Sequence, residues 1–95
     1  MSKVYTVVTK SDSTYTLDFG DMTWERRSNY HDDIVDGGVI TGFAVGDRKL
    51  DPNFSEWPQV TAPEVGLSMF IHGDGFYDWV LSTRVTEIVK EFSWE

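Results

Sequence analysis

The densest group of residues able to do chemistry is His31, Asp32, Asp33 and Asp36. Carboxylate oxygens together with an imidazole can hold a hard divalent cation. The spacing, however, lacks the ligand ladder and the closing glutamate of an EF-hand loop. We therefore interpret residues 31–38 as a long solvated loop, with room for one helical turn, and predict neither a metal site nor a cofactor.

The motifs that catalysis commonly uses are missing from the chain. It contains no cysteine, no G-x-S-x-G elbow, no G-x-G-x-x-G fingerprint and no Walker A pattern. The run Gly73-Asp74-Gly75 lacks the lysine of a phosphate loop and is typical of a hairpin turn. A chain of this length also has little room for a deep cleft, so we predict that the protein is not an enzyme.

Length and charge restrict the class of protein and its partners. The 95 residues predict a single domain, 1–95, and carry a net charge of −8. This balance disfavours direct binding to nucleic acid or to an anionic membrane. It permits a basic partner, but surface charge of this kind more often serves solubility. The absence of cysteine and of an apolar segment after Met1 predicts a cytoplasmic protein.

Alternating and β-branched runs predict most of the chain to be strand. Lys3–Thr9 and Thr14–Phe19 should form one hairpin, and Leu67–His72 should pair with Phe76–Leu81 across the Asp-Gly turn. The run Gly38–Val45 is apolar on both faces, which favours a central strand.

The secondary structure of three segments is predicted less clearly by their sequence patterns. Met22–Tyr30 predicts a short strand or an extended arm, and Phe54–Glu64, with two prolines, predicts a loop or an edge segment. The final run, Arg84–Phe92, carries apolar residues at helical spacing but is rich in β-branched residues. We favour a closing strand after a one-turn break at residues 82–84.

These elements predict a mainly β fold, a small barrel or sandwich of five to seven antiparallel strands. Their order resembles SH3-like small barrels, in which a one-turn break joins the last two strands. The alternative is an α+β fold with a C-terminal helix starting at about residue 83.

The aromatic side chains are the most useful guide to a binding site. SH3-like folds bind peptides through rings near the long loop and the last hairpin, where this chain has Trp24, Tyr30, Tyr77 and Trp79. The competing interpretation is that most of these rings form the core. The predicted protein-binding residues are Trp24, Tyr30, Asp32, Asp33, Asp36, Trp57 and Trp94.

The run WVLSTRVTEI, residues 79–88, resembles the ends of small uncharacterised bacteriophage proteins, especially those of phages of actinobacteria. The resemblance implies an accessory or host-directed role in the host cytoplasm. Our leading hypothesis is a non-enzymatic protein-binding module that modulates a host protein.

Two alternatives remain open. One is a self-assembling virion component, for which the protein would be a homo-oligomer. The other is an acidic DNA mimic that inhibits a nucleic-acid-binding host enzyme. The carboxylates that could share a side in such a mimic are Asp12, Asp18, Asp21, Asp32, Asp33 and Asp36.

Overall fold

The computed structural model describes residues 2–28, 34–74 and 79–94, which form one antiparallel sheet of seven strands curled into a half-barrel. The strands are β1 (Ser2–Thr9), β2 (Ser13–Asp18), β3 (Thr23–Ser28), β4 (Ile34–Val39), β5 (Gly42–Gly46), β6 (Ser68–His72) and β7 (Trp79–Trp94). Their order across the sheet is β4-β3-β2-β1-β7-β6-β5. The predicted mainly β fold is confirmed, and the C-terminal segment is strand rather than helix.

The first hairpin follows the alternation of its side chains. Tyr5 and Val7 of β1 lie opposite Leu17 and Tyr15 of β2, and all four side chains are buried in the core. Successive residues of a strand point to opposite faces, so the intervening threonines face outward. This register confirms the predicted pairing of the first two strands.

Aromatic rings connect the two halves of the curled sheet. Phe19, just after β2, packs edge-on against Tyr5 at 5.9 Å and against Phe43 of β5 at 5.2 Å between ring centroids. The same core contains buried Met69, Ile71 and Val85 from β6 and β7. Packing of these rings across the concave face holds the sheet in its curled form.

The prediction of a loop over residues 31–38 is wrong from residue 34 onward, because Ile34–Val39 is strand β4. Residues 31–33 lie outside the described part of the chain. The glycines that suggested a loop instead permit close packing: a Cβ on Gly37 would lie 2.9 Å from the Trp24 carbonyl oxygen of β3. A short strand with two glycines and an aspartate is ordered by tertiary pairing rather than by intrinsic preference.

The prediction of one central strand over Gly38–Val45 is also wrong. Ile40 and Thr41 interrupt the segment, so its first two residues end β4 at one edge of the sheet and the rest belong to β5 at the other edge. Ile40 donates its backbone N–H to Met22 at 2.7 Å, and Thr41 donates to His72 at 2.7 Å. The chain therefore passes from β4 to β5 across the gap between the sheet edges. The segment is apolar on both faces because a loop covers the outer face of β5.

The free edge of β5 is protected by that same loop. The Gln59 side chain accepts the Phe43 N–H through Oε1 at 2.8 Å, and the Val60 N–H donates to the Phe43 carbonyl at 2.8 Å. At the other edge, β4 carries the exposed Asp36 and a register shift against β3. A charge and a bulge are common devices that discourage edge-to-edge association.

Strand β7 continues through the predicted break at residues 82–84, so the expected helical turn there is wrong. Residues 79–84 pair with β6 and residues 85–94 with β1, and a register shift marks the change of partner. The buried Ser82 accepts the Met69 N–H through its Oγ at 2.8 Å and donates to the Thr83 carbonyl. A hydroxyl thus replaces the backbone acceptor that the bulge displaces.

A second, smaller core lies on the outer face of β5 and β6. It consists of Ala44, Trp57 and Phe70, with Phe54 and Leu81 packed against them. The Trp57 indole donates from Nε1 to the Asp51 carbonyl at 3.1 Å, which secures the loop between β5 and β6.

The loop from residue 47 to residue 67 confirms the predicted irregular segment. A 3₁₀ turn, Phe54–Glu56, is its regular element, and Gln59 forms a single bridge to Ala44 of β5. No helix among the described residues has the length and apolar character needed to cross a bilayer.

Candidate functional site

An open cleft beside the smaller core, here called the aromatic cleft, is the candidate functional site. Its volume is about 450 Å³, which is within the range of small-ligand and peptide side-chain pockets. The lining residues are Thr41, Gly42, Phe54, Ser55, Gln59, Phe70, His72 and Trp79. The cleft is thus walled by aromatic faces with a few polar groups between them.

Register across three neighbouring strands explains why a cleft opens at this place. Gly42 of β5 lies opposite His72 of β6, and His72 lies opposite Trp79 of β7. Opposite residues of an antiparallel pair share one face of the sheet. Because Gly42 has no side chain, the Gln59 amide lies beside it, with Oε1 3.0 Å from where a Cβ would be, and the row ends with the large ring of Trp79.

Ring contacts hold Trp79 in place although 44% of its surface is exposed. Its centroid lies 5.2 Å from that of Phe54 and 5.8 Å from that of Phe70, and the latter two rings are 5.1 Å apart. Contacts of this length are favourable for aromatic pairs. The indole is therefore partly open to solvent and has little freedom left to lose when a ligand binds.

His72 is oriented by Thr41 at the polar end of the cleft. The Thr41 hydroxyl oxygen lies 3.2 Å from His72 Nδ1 and also contacts the backbone carbonyls of His72 and Gly73. A hydroxyl has one proton, and two carbonyls compete for it. His72 Nδ1 is therefore the donor in its contact with Thr41. The threonine positions the imidazole and is not activated as a nucleophile.

The predicted tryptophan sites occupy different environments. Trp24 and Trp57 are buried, with 6% and 5% of their surfaces exposed, and they pack in the main and the smaller core. Trp24 stacks on Tyr15 at 6.2 Å. Buried rings contribute to packing and do not offer a face to a partner. Trp94 ends β7 with its backbone opposite Ser2.

The predicted acidic part of the site is described only at Asp36. Its side chain is exposed on β4, and its Oδ1 accepts the Gly37 N–H at 2.9 Å. The strand order places β4 at the opposite edge of the sheet from β5, so Asp36 does not line the aromatic cleft. The predicted residues outside the described part of the chain are Tyr30, Asp32 and Asp33.

The carboxylates considered for DNA mimicry are spread along the first hairpin. Asp12 lies in the turn before β2, whereas Asp18 and Asp21 lie at its far end. Asp18 Oδ1 accepts the N–H groups of Gly20 and Asp21, each at 2.9 Å, and so caps that turn. The Asp18 carboxylate therefore has a local structural role, and DNA mimicry stays an untested prediction.

Sequence reasoning included Trp79 among the useful aromatics but missed Phe54, Phe70 and His72 as its neighbours. The signal that could have found His72 is its place opposite Trp79 across the Asp-Gly hairpin. Phe54 lies on a separate loop, and only the tertiary fold brings its ring to the cleft.

Comparison of the chain with protein-family models, with curated proteins and with solved structures gives no match in any of the three.

Proposed function

We propose that the protein is a non-enzymatic protein-binding module that recognises a basic segment of its partner at the aromatic cleft. The observation that carries the proposal is Trp79, whose half-exposed ring is held against Phe54 and Phe70. A fixed indole face is the best side-chain surface for an arginine or lysine cation. Pre-organisation of the ring lowers the entropic cost of binding.

Charge supports a basic ligand. The chain has a net charge of −8, and the exposed Glu56 and Asp74 lie two residues from Phe54 and His72 in sequence. An acidic surface attracts a basic segment during diffusion, and the ring then supplies local contact. The polar groups of Gln59 and His72 in the cleft can pair with the backbone or guanidinium of that segment.

The resemblance of residues 79–88 to small bacteriophage proteins suggests that the partner is a host protein. In that case the module would act in the host cytoplasm and modulate its partner by occupying a basic surface. Self-assembly remains the alternative, and it predicts a homo-oligomer by light scattering.

Titration with short synthetic peptides tests the proposed function. Peptides rich in arginine should bind saturably and shift the Trp79 indole resonance in NMR spectra, whereas glutamate-rich peptides of the same length should not. Trp79→Ala should weaken binding by about tenfold or more, since it removes both the cation–π contact and its apolar area. Trp79→Phe should lose less, because a smaller ring remains.

Phe92→Ala is the matched control, because Phe92 is another exposed ring, with 56% of its surface accessible, near the far end of β7. It should leave peptide affinity unchanged. Absence of peptide binding below about 1 mM, or equal binding by Trp79→Ala and the unmodified protein, would refute the proposed site.

A further inference from the structure

Four of the eight basic residues of this acidic chain converge on one pocket at the other end of the β6–β7 pair. Lys10, Arg48, Lys49 and Arg84 line an opening of about 450 Å³, here called the basic pocket. They come from three separate parts of the sequence, so the cluster is a product of the fold. We propose that the basic pocket binds a phosphate-bearing small molecule.

Backbone contacts bring the walls of the basic pocket together. The Lys10 N–H donates to the Arg84 carbonyl at 2.9 Å, which joins the first turn to β7. The guanidinium of Arg48 reaches the Ser82 carbonyl from Nη1 at 3.4 Å, which places the turn after β5 against the same strand. The pocket therefore exists in the folded protein and does not need a ligand to assemble it.

Polar groups complete the floor of the basic pocket. Gly66 donates its N–H to Val85 at 2.8 Å and has a positive φ of 95°, which turns the chain tightly beside the opening. Ser68, opposite Arg84 in the ladder, places a hydroxyl-bearing residue on the lining, and Thr83 lies beside it with its hydroxyl donating to Ser11 Oγ at 3.1 Å. Hydroxyls and cationic donors together are the usual ligands of phosphate oxygens.

The positive charge of the basic pocket exceeds the negative charge of the described acids that line it. Among described residues, ion pairs are formed by Lys3 with Glu91 and by Arg27 with Glu25, and the four pocket cations take part in none. One carboxylate, Asp47, lines the opening, and it accepts the Lys49 N–H at 2.9 Å. Four positive charges thus face one negative charge.

This balance favours a phosphate over a carboxylate ligand. A phosphomonoester carries about −1.5 to −2 charges at pH 7 and offers three strong acceptor oxygens. A single carboxylate carries one charge and would leave most of the cations unpaired. Two guanidinium groups, on Arg48 and Arg84, can each bind phosphate oxygens in a bidentate manner.

The basic pocket is distinct from the aromatic cleft. Ser68 and His72 belong to the two sites and lie at opposite ends of β6, about 13 Å apart at the rise of an extended strand. The rest of the chain is strongly acidic, so it opposes non-specific adsorption of anions. Saturable binding of an anion would therefore point to this pocket.

The test is an NMR titration of the full chain with inorganic phosphate and pyrophosphate, beside acetate and succinate at equal ionic strength. Phosphate and pyrophosphate should bind saturably, with the largest amide shifts at Lys49, Gly66 and Thr83, and pyrophosphate should bind more tightly than succinate. The double variant Lys49→Gln/Arg84→Gln should weaken pyrophosphate binding by about tenfold or more.

Lys3→Gln/Arg27→Gln is the matched control, because it removes the same number of charges outside the pocket. It should leave the affinity almost unchanged. Asp47→Asn keeps an acceptor for the turn but removes the one negative charge, so it should tighten binding about two- to fivefold. Unfolding of the variant would weaken binding, so it cannot be the cause of a higher affinity.

Three results would overturn the proposal. The first is the absence of saturable phosphate or pyrophosphate binding below about 10 mM. The second is equal weakening by the pocket variant and its control, which would indicate a diffuse charge effect. The third is succinate binding as tight as that of pyrophosphate, which would remove the assignment to phosphate.

Discussion

Gly46→Ala provides a direct test of how the loop that contributes residues to both sites is attached to the sheet. The position is the last residue of β5, and an added Cβ would lie within 2.7 Å of three atoms of the Trp57 ring. Trp57 is buried and its Nε1 is bonded to the Asp51 carbonyl at 3.1 Å, so the ring cannot move aside freely. We expect Gly46→Ala to destabilise the fold.

Two effects of opposite sign decide the magnitude. The φ of Gly46 is not in the left-handed region, so alanine would normally stabilise by about 0.4–1 kcal/mol through the unfolded chain. Overpacking costs about 1–3 kcal/mol, and complete displacement of a buried tryptophan costs about 3–5 kcal/mol. The steric overlap with Trp57 outweighs the effect on the unfolded chain, so we expect the free energy of unfolding to fall by about 2–3 kcal/mol. For a domain of this size the loss lowers Tm by about 8–24 °C.

A double-mutant cycle isolates the collision. In a Trp57→Ala background, Gly46→Ala should change the free energy of unfolding by less than about 0.5 kcal/mol, or should stabilise slightly, because the ring is gone. Trp57→Leu, which retains apolar volume, replaces that background if Trp57→Ala does not fold. Urea unfolding followed by far-ultraviolet circular dichroism measures all variants without reliance on tryptophan fluorescence.

The control for the cycle is Gly38→Ala on β4, whose added Cβ would meet Trp24 Nε1 at an ordinary 3.7 Å. It should stay within about 0.5 kcal/mol of the unmodified protein. An equal cost of Gly46→Ala in both backgrounds, or a cost below that of Gly38→Ala, would refute the packing argument.

Two further predictions concern buried polar groups. Ser82→Ala should destabilise by about 1–3 kcal/mol, because it leaves the Met69 N–H without its acceptor at the β7 bulge; urea unfolding measures the loss, and amide exchange should quicken at Met69. Burial raises the pKa of Tyr15 above its ordinary value of 10.0. The neutral phenol therefore contributes its full stability below pH 10, and this contribution declines as the pH rises from there through the raised pKa of the folded state. Urea unfolding between about pH 8 and pH 11 should show this decline, and Tyr15→Phe should reduce it.

Control variants test whether the cost of Ser82→Ala and the alkaline loss of stability are specific to Ser82 and Tyr15. Thr86→Ala removes an exposed hydroxyl that donates to the Val8 carbonyl at 3.2 Å, so it should cost much less than Ser82→Ala. Equal losses would contradict the role assigned to Ser82. An unchanged alkaline decline in Tyr15→Phe would show that groups other than Tyr15 cause it.

The alternation of Tyr15 and Leu17 with threonines was sufficient to predict the first hairpin, because a half-buried strand imposes a period of two on its side chains. The Asp-Gly pair likewise predicted that β6 and β7 are neighbours, and His72 does lie opposite Trp79. Both are local signals, since the groups that pair are close in sequence.

Strand β4 could not be predicted in this way. Asp36 and two glycines interrupt its apolar residues, so it shows no alternation, and it becomes a strand because β3 offers an edge on which the glycines fit against Trp24. The burial of Trp57 could not be predicted from the sequence either, because the sheet face that covers its ring belongs to β5 and β6. Such decisions depend on contacts between segments distant in sequence, which single-sequence patterns do not contain.

The sequence by itself determined that this is one small, acidic, mainly β domain without cysteine chemistry. Only the tertiary structure decided where its candidate binding surfaces lie. It buried two of the predicted tryptophans, exposed Trp79 beside Phe54 and His72, and gathered four scattered cations into one pocket. The physical reason is that composition and alternation set which face of a strand is buried, whereas strand order and loop placement set which faces meet.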